Sequence, residues 1–186
     1  ARFEVQIESD ADETGLPDTE GRRWTADASG IDLVRFLLGA NVGEPLRPLS
    51  KVASGGELSR LMLAIKSISA GASQTPTLVF DEVDVNIGGR TAYAVADKLV
   101  AVAGGAQVLC ITHLAQIACT ADHQISVRKS VRDGRTVVQA EELDEEGRVT
   151  ELARMMGGTE DATSAREHAA EMLAEAQEQR QTTRGA

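Results

Sequence analysis

Aromatic residues are almost missing from this chain: three Phe, one Tyr and one Trp among 186 residues. Its core must therefore be aliphatic, built from Leu, Val, Ile, Ala and Met. Cysteine is nearly absent as well. Cys110 and Cys119 cannot form a disulfide framework, and Cys110 lies within an apolar run, which points to a reducing, intracellular setting. Long apolar runs are missing: no stretch approaches the ~18 residues of a membrane span. No secretory signal opens the chain, so the expectation is a cytoplasmic protein with no membrane partner. Positive charge is also short, with 19 Lys and Arg against 29 Asp and Glu and a formal net charge of −10. That balance excludes a surface that embraces nucleic-acid phosphates as a whole, and leaves room for one local basic face. The chain opens on Ala1 rather than Met and runs at once into a strand-like pattern, as a piece excised from a longer protein would.

An apolar content of 42% over 186 residues is enough to bury a sizeable core, and one domain spanning 1–186 is expected. Phe3, Val5 and Ile7 alternate with polar neighbours and predict a half-exposed strand. The acidic, turn-rich SDADETGLPDTEG reads as a loop, IDLVRFLL (31–38) as a second strand, and NVGEPLRPLS as a loop punctuated by Gly and Pro. Leu58, Leu61, Met62 and Ile65 form one apolar stripe on a helix. TLVF (77–80) has the composition of a strand buried on both faces. The segment 88–105 predicts a helix with Ala92, Val95, Ala96, Leu99 and Val102 inward, ended by Gly104–Gly105. QVLCIT (107–112) is a further buried strand. Strand, helix and strand in this order make a parallel βαβ unit with a right-handed crossover. Residues 125–143 read as two strands around Asp133–Gly134, a hairpin. AEELDEEG is an acidic solvated loop. VTELARMM is a helix stopped at Gly157–Gly158, and a final amphipathic helix begins at Ala162. The fold class is thus α/β: a parallel βαβ core, a β-hairpin and C-terminal helices.

Three short motifs can carry chemistry. Ser54-Gly55-Gly56-Glu57 precedes the first helix. Ser54 and Glu57 stand at capping-box spacing, yet two glycines each weaken a helix by roughly 1 kcal/mol relative to Ala. Glycine is kept where backbone comes close to something, and free N–H groups at a helix start favour an anion such as phosphate. Plain capping and phosphate contact both remain open. In TLVFDEVD, Asp81 and Glu82 follow an apolar strand, at the carboxyl edge where ligands of open α/β sheets collect. Adjacent residues point to opposite sides, so one carboxylate could serve Mg²⁺ and the other orient a water. An acidic turn after a core strand is the plainer alternative. His113, ending QVLCITH, should emerge on that same edge, where a hydrogen bond to phosphate is open to it beside a purely structural role.

Taken together, ASGGELSR, TLVFDEVDVNIGG and VLCITHLAQIA resemble the ATPase head of the RecN family of bacterial double-strand-break repair proteins, which are related to the SMC and ABC ATPases. The resemblance runs from about residue 31 to about residue 170. It implies the C-terminal lobe of an ABC/SMC-type P-loop NTPase head, acting on ATP with Mg²⁺. Ser54, Gly55, Gly56 and Glu57 then match the signature that meets the γ-phosphate of ATP held by a second head. Asp81 matches the Walker B aspartate that serves the metal, Glu82 the carboxylate that polarises water, and His113 the switch histidine. Asp84 to Gly88 occupy the D-loop at the dimer interface, although many relatives carry aspartate where Gly88 stands. No G-x-x-x-x-G-K-[ST] occurs in the sequence, so the phosphate-cradling Walker A half and the coiled coil are expected N-terminal to Ala1. The implied partners are a second copy of the head, that N-terminal half, and DNA through the full-length protein, with a nucleoid-associated bacterial cytoplasmic location.

Other assignments compete. Asp81, Glu82 and Asp84 could form a two-metal nuclease or Toprim-like site, which would leave SGGE and His113 idle. A head that only dimerises, as a clamp, is the non-catalytic alternative. Arg128, Lys129, Arg132 and Arg135 cluster on the expected hairpin. They could touch DNA phosphates or simply solvate an edge hairpin against aggregation.

Overall fold

The computed structural model describes residues 2–39, 43–51, 54–69, 75–132, 134–157 and 163–184, with side chains to residue 180. Asp133, Gly158 and Ala162, used in the sequence reading, lie outside the described residues. The chain divides into two compact units, Ala1–Ser54 and Gly55–Ala186.

In the first unit, β1 (Arg2–Glu8) pairs antiparallel with β4 (Leu33–Gly39), which also pairs with β5 (Arg47–Pro48). The register sets Val5 opposite Phe36, and the rings of Phe3 and Phe36 stack with centroids 5.8 Å apart. Arg35 and Glu8 form an ion pair across the strands. The segment expected as a loop is instead partly extended: β2 (Ala11–Pro17) pairs with β3 (Arg23–Trp24) around a register shift. Composition hid this because the pairing rests on a close approach. A Cβ at Gly15 would overlap the Trp24 carbonyl. Asp18 then ties the turn, accepting bonds from the Arg22 and Glu20 amides, Arg22 Nε and Trp24 Nε1.

The second unit runs α1 (Gly55–Ile68), β6 (Thr77–Phe80), α2 (Arg90–Ala103), β7 (Gln107–Cys110), α3 (Ala115–Ala118), β8 (Ile125–Arg132), β9 (Arg135–Glu142), α4 (Glu145–Met155) and α5 (Thr163–Arg184). β6 and β7 are parallel, with Thr77 opposite Gln107 and Phe80 opposite Cys110. The expected βαβ order is therefore observed. All five positions predicted to face inward on α2 are buried, and Val95, Ala96, Leu99 and Val102 join Leu63, Phe80, Val83 and Ile117 in the core. A second cluster, around Leu152, Ala153, Ala169, Met172 and Leu173, binds α3, α4 and α5.

Two expectations are corrected here. β6 and β7 are not buried on both faces, since Val79, Leu109 and Ile111 are 64%, 49% and 61% exposed. On α1 the buried residues are Gly56 and Leu63, while Leu58, Met62 and Ile65 lie exposed. An aliphatic strand or stripe declares that it needs cover; it does not say that the same chain supplies it. The acidic stretch near 144 is also more than a loop. Asp144 caps α4 by accepting from the Gly147 amide at 2.8 Å, and Glu145 and Glu146 fill the first turn, where negative charge suits the helix dipole. The hairpin of β8 and β9 is regular, with Gly134 at φ +73° in its turn.

Candidate functional site

Parallel register settles where the motif residues emerge. Phe80 and Cys110 are opposite partners, and the Ile111 amide donates to the Phe80 carbonyl at 3.0 Å. Both strands therefore deliver their following residues to one edge, Asp81 and Glu82 from β6 and Thr112 and His113 from β7.

The loop after β6 is tightly wound. Glu82 and Asn86 are the non-glycine residues with positive φ among those described, at 58° and 59°. Left-handed backbone at a non-glycine residue needs surrounding structure to hold it. α1 supplies that hold: Ser59 Oγ donates to the Asp81 carbonyl at 2.7 Å, and Arg60 Nη1 donates to the carbonyls of Val83 and Val85 at 3.2 and 2.9 Å. Asp81 itself accepts from the Glu82 amide at 2.9 Å.

The glycines acquire an intrachain reason at this point. A Cβ at Gly55 would overlap the Glu82 carboxylate, and one at Gly56 would lie 2.8 Å from the Glu82 carbonyl oxygen and 3.2 Å from Val85 Cβ. At Gly56 the Glu82 backbone takes the space of a side chain, whereas at Gly55 only the movable end of the Glu82 side chain stands in the way. Sequence reasoning missed this because residues about 27 apart must meet for it to appear. Gly56 is buried and Gly55 exposed, Glu57 is half-buried, and Ser54 is half-buried at the end of the first unit.

Asp84 lies only 3% exposed. Its Oδ2 accepts from Thr112 Oγ1 at 2.6 Å and from the His113 amide at 2.7 Å, and lies 2.9 Å from His113 Nδ1. It thus turns into the unit, toward Thr112 and His113. Asp81, Glu82 and His113 stay exposed. Behind them, burial pushes the Cys110 thiol up to about 12, helped by the negative charges of Asp84 and Asp81.

Among the described residues no group of three or more His, Cys, Asp or Glu side chains is placed to hold a metal ion. With Asp84 turned inward, the two-metal nuclease alternative is not favoured. One exposed carboxylate at Asp81 still fits Mg²⁺, which takes one or two protein carboxylates and completes its shell with water and phosphate oxygens.

Three members of the basic cluster, Arg128, Arg132 and Arg135, share one face of the hairpin. Arg128 reaches Glu151 at 3.5 Å and Arg132 stands opposite Arg135, whereas Lys129 alternates onto the other side of β8. Another pair of arginines is tied down: Arg148 and Arg180 both donate to the Ala121 carbonyl, at 2.8 and 2.7 Å. No helix is long and apolar enough to cross a membrane among the described residues.

Comparison with known proteins follows the same lines. The chain is 44% identical over 180 residues to the DNA repair protein RecN of Bacillus subtilis, covering 97% of this chain and 31% of that protein. It is 48% identical over 172 residues to RecN of Treponema pallidum, covering 92% and 29%. RecN of Deinococcus radiodurans is 50% identical over 147 residues, covering 79% and 26%. The chain thus spans about a third or less of the length of these relatives. No family model matches it. A solved chain from work on ATP-driven dimerisation and DNA-stimulated activation of SMC ATPases overlaps loosely, with a TM-score of 0.45 and 23% identity over 67% of this chain and 73% of that one.

Proposed function

The chain belongs to the RecN family, and from that premise we propose that it forms the C-terminal lobe of an ATPase head in a DNA repair protein. In this role it acts on ATP whose phosphates are gripped mainly by a Walker A half outside these residues. The observation that supports this best is the convergence at one sheet edge of Asp81, Glu82 and His113, with the start of α1 resting on the Glu82 loop.

Each side chain has a distinct task. Asp81 offers a carboxylate to Mg²⁺, which when bound neutralises phosphate oxygens. Glu82 accepts a hydrogen bond from the attacking water and orients it in line with the γ-phosphate. His113 offers a ring nitrogen near that phosphate. Hydrolysis of this kind depends on positioning and charge stabilisation more than on covalent chemistry. A loop held by Ser59 and Arg60 suits that demand. Ser54, Gly55, Gly56 and Glu57 serve ATP held by a second copy of the head, and Gly88 leaves the D-loop without the aspartate of many relatives. The uncovered face of Val79, Leu109 and Ile111 accepts the Walker A half. DNA is engaged through the full-length protein.

The experiment is Glu82→Gln in the full-length protein. Turnover should fall by about 10²–10⁴-fold, as for loss of a general base, with ATP binding kept and ATP-dependent head association prolonged. Loss of ATP binding with an intact fold would remove Glu82 from this role. ATP-dependent association with no turnover even in the unaltered protein would instead favour the clamp. The 186-residue chain alone, lacking a Walker A sequence, should not turn ATP over. Brisk hydrolysis by that chain, indifferent to Glu82→Gln, would sink the assignment.

A further inference from the structure

Asp84 is a buried carboxylate whose ion-pair partner among the described residues is His113. Three donors converge on its one oxygen, Oδ2: Thr112 Oγ1 at 2.6 Å, the His113 amide at 2.7 Å and His113 Nδ1 at 2.9 Å. Thr112 Oγ1 in turn accepts from the Leu114 amide at 3.0 Å. The carboxylate therefore fixes the backbone entering His113, the side chain before it and the ring itself. The His113 side chain is nonetheless 69% exposed. An exposed imidazole rotates freely unless something holds it, and a carboxylate beneath Nδ1 sets both ring orientation and tautomer.

We infer that Asp84 is a positioning residue: it holds the proton on His113 Nδ1 and leaves Nε2 as the ring nitrogen that accepts from the attacking water. This rests on the ATPase role proposed above and assigns Asp84 a task inside its own lobe. A structural role alone explains it poorly. The bonds to Thr112 Oγ1 and the His113 amide would close the turn by themselves. What the Asp84 oxygen adds is control of an exposed ring three residues beyond the end of β7.

The test uses the full-length protein with Asp84→Ala, Asp84→Asn and His113→Ala, alongside Glu82→Gln. Two readouts are needed: steady-state ATP turnover, and long-range ¹H–¹⁵N spectra of the His113 imidazole without nucleotide. The unaltered protein should show an Nδ1–H ring. Asp84→Ala should lose that signature and lower kcat by about 10–100-fold, the scale of a misplaced catalytic group. Its KM for ATP should stay within about twofold, since binding is not what the residue serves. Asp84→Asn should recover most of the rate, because an amide oxygen can accept the same three bonds. Adding Asp84→Ala to His113→Ala should cost nothing more, as for residues acting through one another.

An Nε2–H ring in the unaltered protein overturns the inference. So does an equal loss in the Ala and Asn variants, or an additive loss in the double variant. Should Asp84→Ala fail to fold, the ring signature and the Asn variant still decide. If Glu82→Gln leaves turnover untouched, the ATPase role fails, while the ring spectra report on Asp84 independently of it.

Discussion

The second unit has two hydrophobic regions that differ in completeness. Around Leu152, α3, α4 and α5 close on each other, and Leu152, Ala153 and Ala169 are fully buried. Around β6 and β7 one face is closed by α2, whereas the other leaves Val79, Leu109 and Ile111 open. Both regions have the composition of a core. Completeness is a property of the neighbours: three helices can surround one another, but a two-stranded parallel sheet has two faces and α2 covers one. The motif residues Asp81, Glu82 and His113 follow directly from the incompletely covered strands.

Breaking the closed region should have the largest effect. Leu152→Ala leaves a cavity with nothing free to fill it and should destabilise the chain by about 2–5 kcal/mol, read as a lower denaturation midpoint at constant slope. A shift as small as that of a surface change would mean the helices are not sealed in solution.

Glu151 tests the polar border of the same region. It is 7% exposed and bonds Arg154 Nη2 and Nε at 2.6 and 3.0 Å. The Arg154 hydrogen bonds hold its pKa below the usual 4.5, with Arg128 assisting. The folded form is thus the stronger acid, so its contribution is fully present above pH 4.5 and fades as pH falls through the lowered value. Glu151→Gln should cost about 1–2 kcal/mol at pH 7, discounted because both arginines are largely exposed. It should also flatten acid unfolding below pH 4.5. An acid limb as steep as before would remove Glu151 from that account.

Cys110 reports on the other region. With its thiol raised to about 12, it should react with iodoacetamide at pH 8 more than about tenfold more slowly in the folded chain than in denaturant, because the thiolate is the nucleophile. Comparable rates would mean that the Asp81 edge opens readily.

The smallest change sharpens the contrast most. Val79→Thr on the open face should alter stability of this chain by less than about 0.5 kcal/mol. In the full-length protein the same substitution should destabilise more, where the proposed Walker A half would cover that face. Equal, small effects in both settings would show that the face stays bare.

Much of this was legible in advance. The five inward positions of α2, the strand–helix–strand order and the hairpin all follow from local periodicity, because side-chain direction repeats every 3.6 residues in a helix and every two in a strand. The motifs were legible by residue type and order. Whether an apolar face is covered was not, as Val79 and Met62 show, because cover comes from distant neighbours. The helical start at Glu145 was hidden by its acidic composition, although Asp144 at a cap followed by two acids is in hindsight its signal.

Sequence by itself determined which residues could form the elements and that Asp81, Glu82 and His113 should reach one edge, since a parallel pair leaves both strands running the same way. Tertiary structure alone decided that Glu82 sits in left-handed backbone against Gly55 and Gly56, and that Asp84 turns inward to His113. The reason is distance along the chain: these contacts join residues 26 to 29 positions apart, and no local preference specifies such a meeting until the helix and both strands have packed.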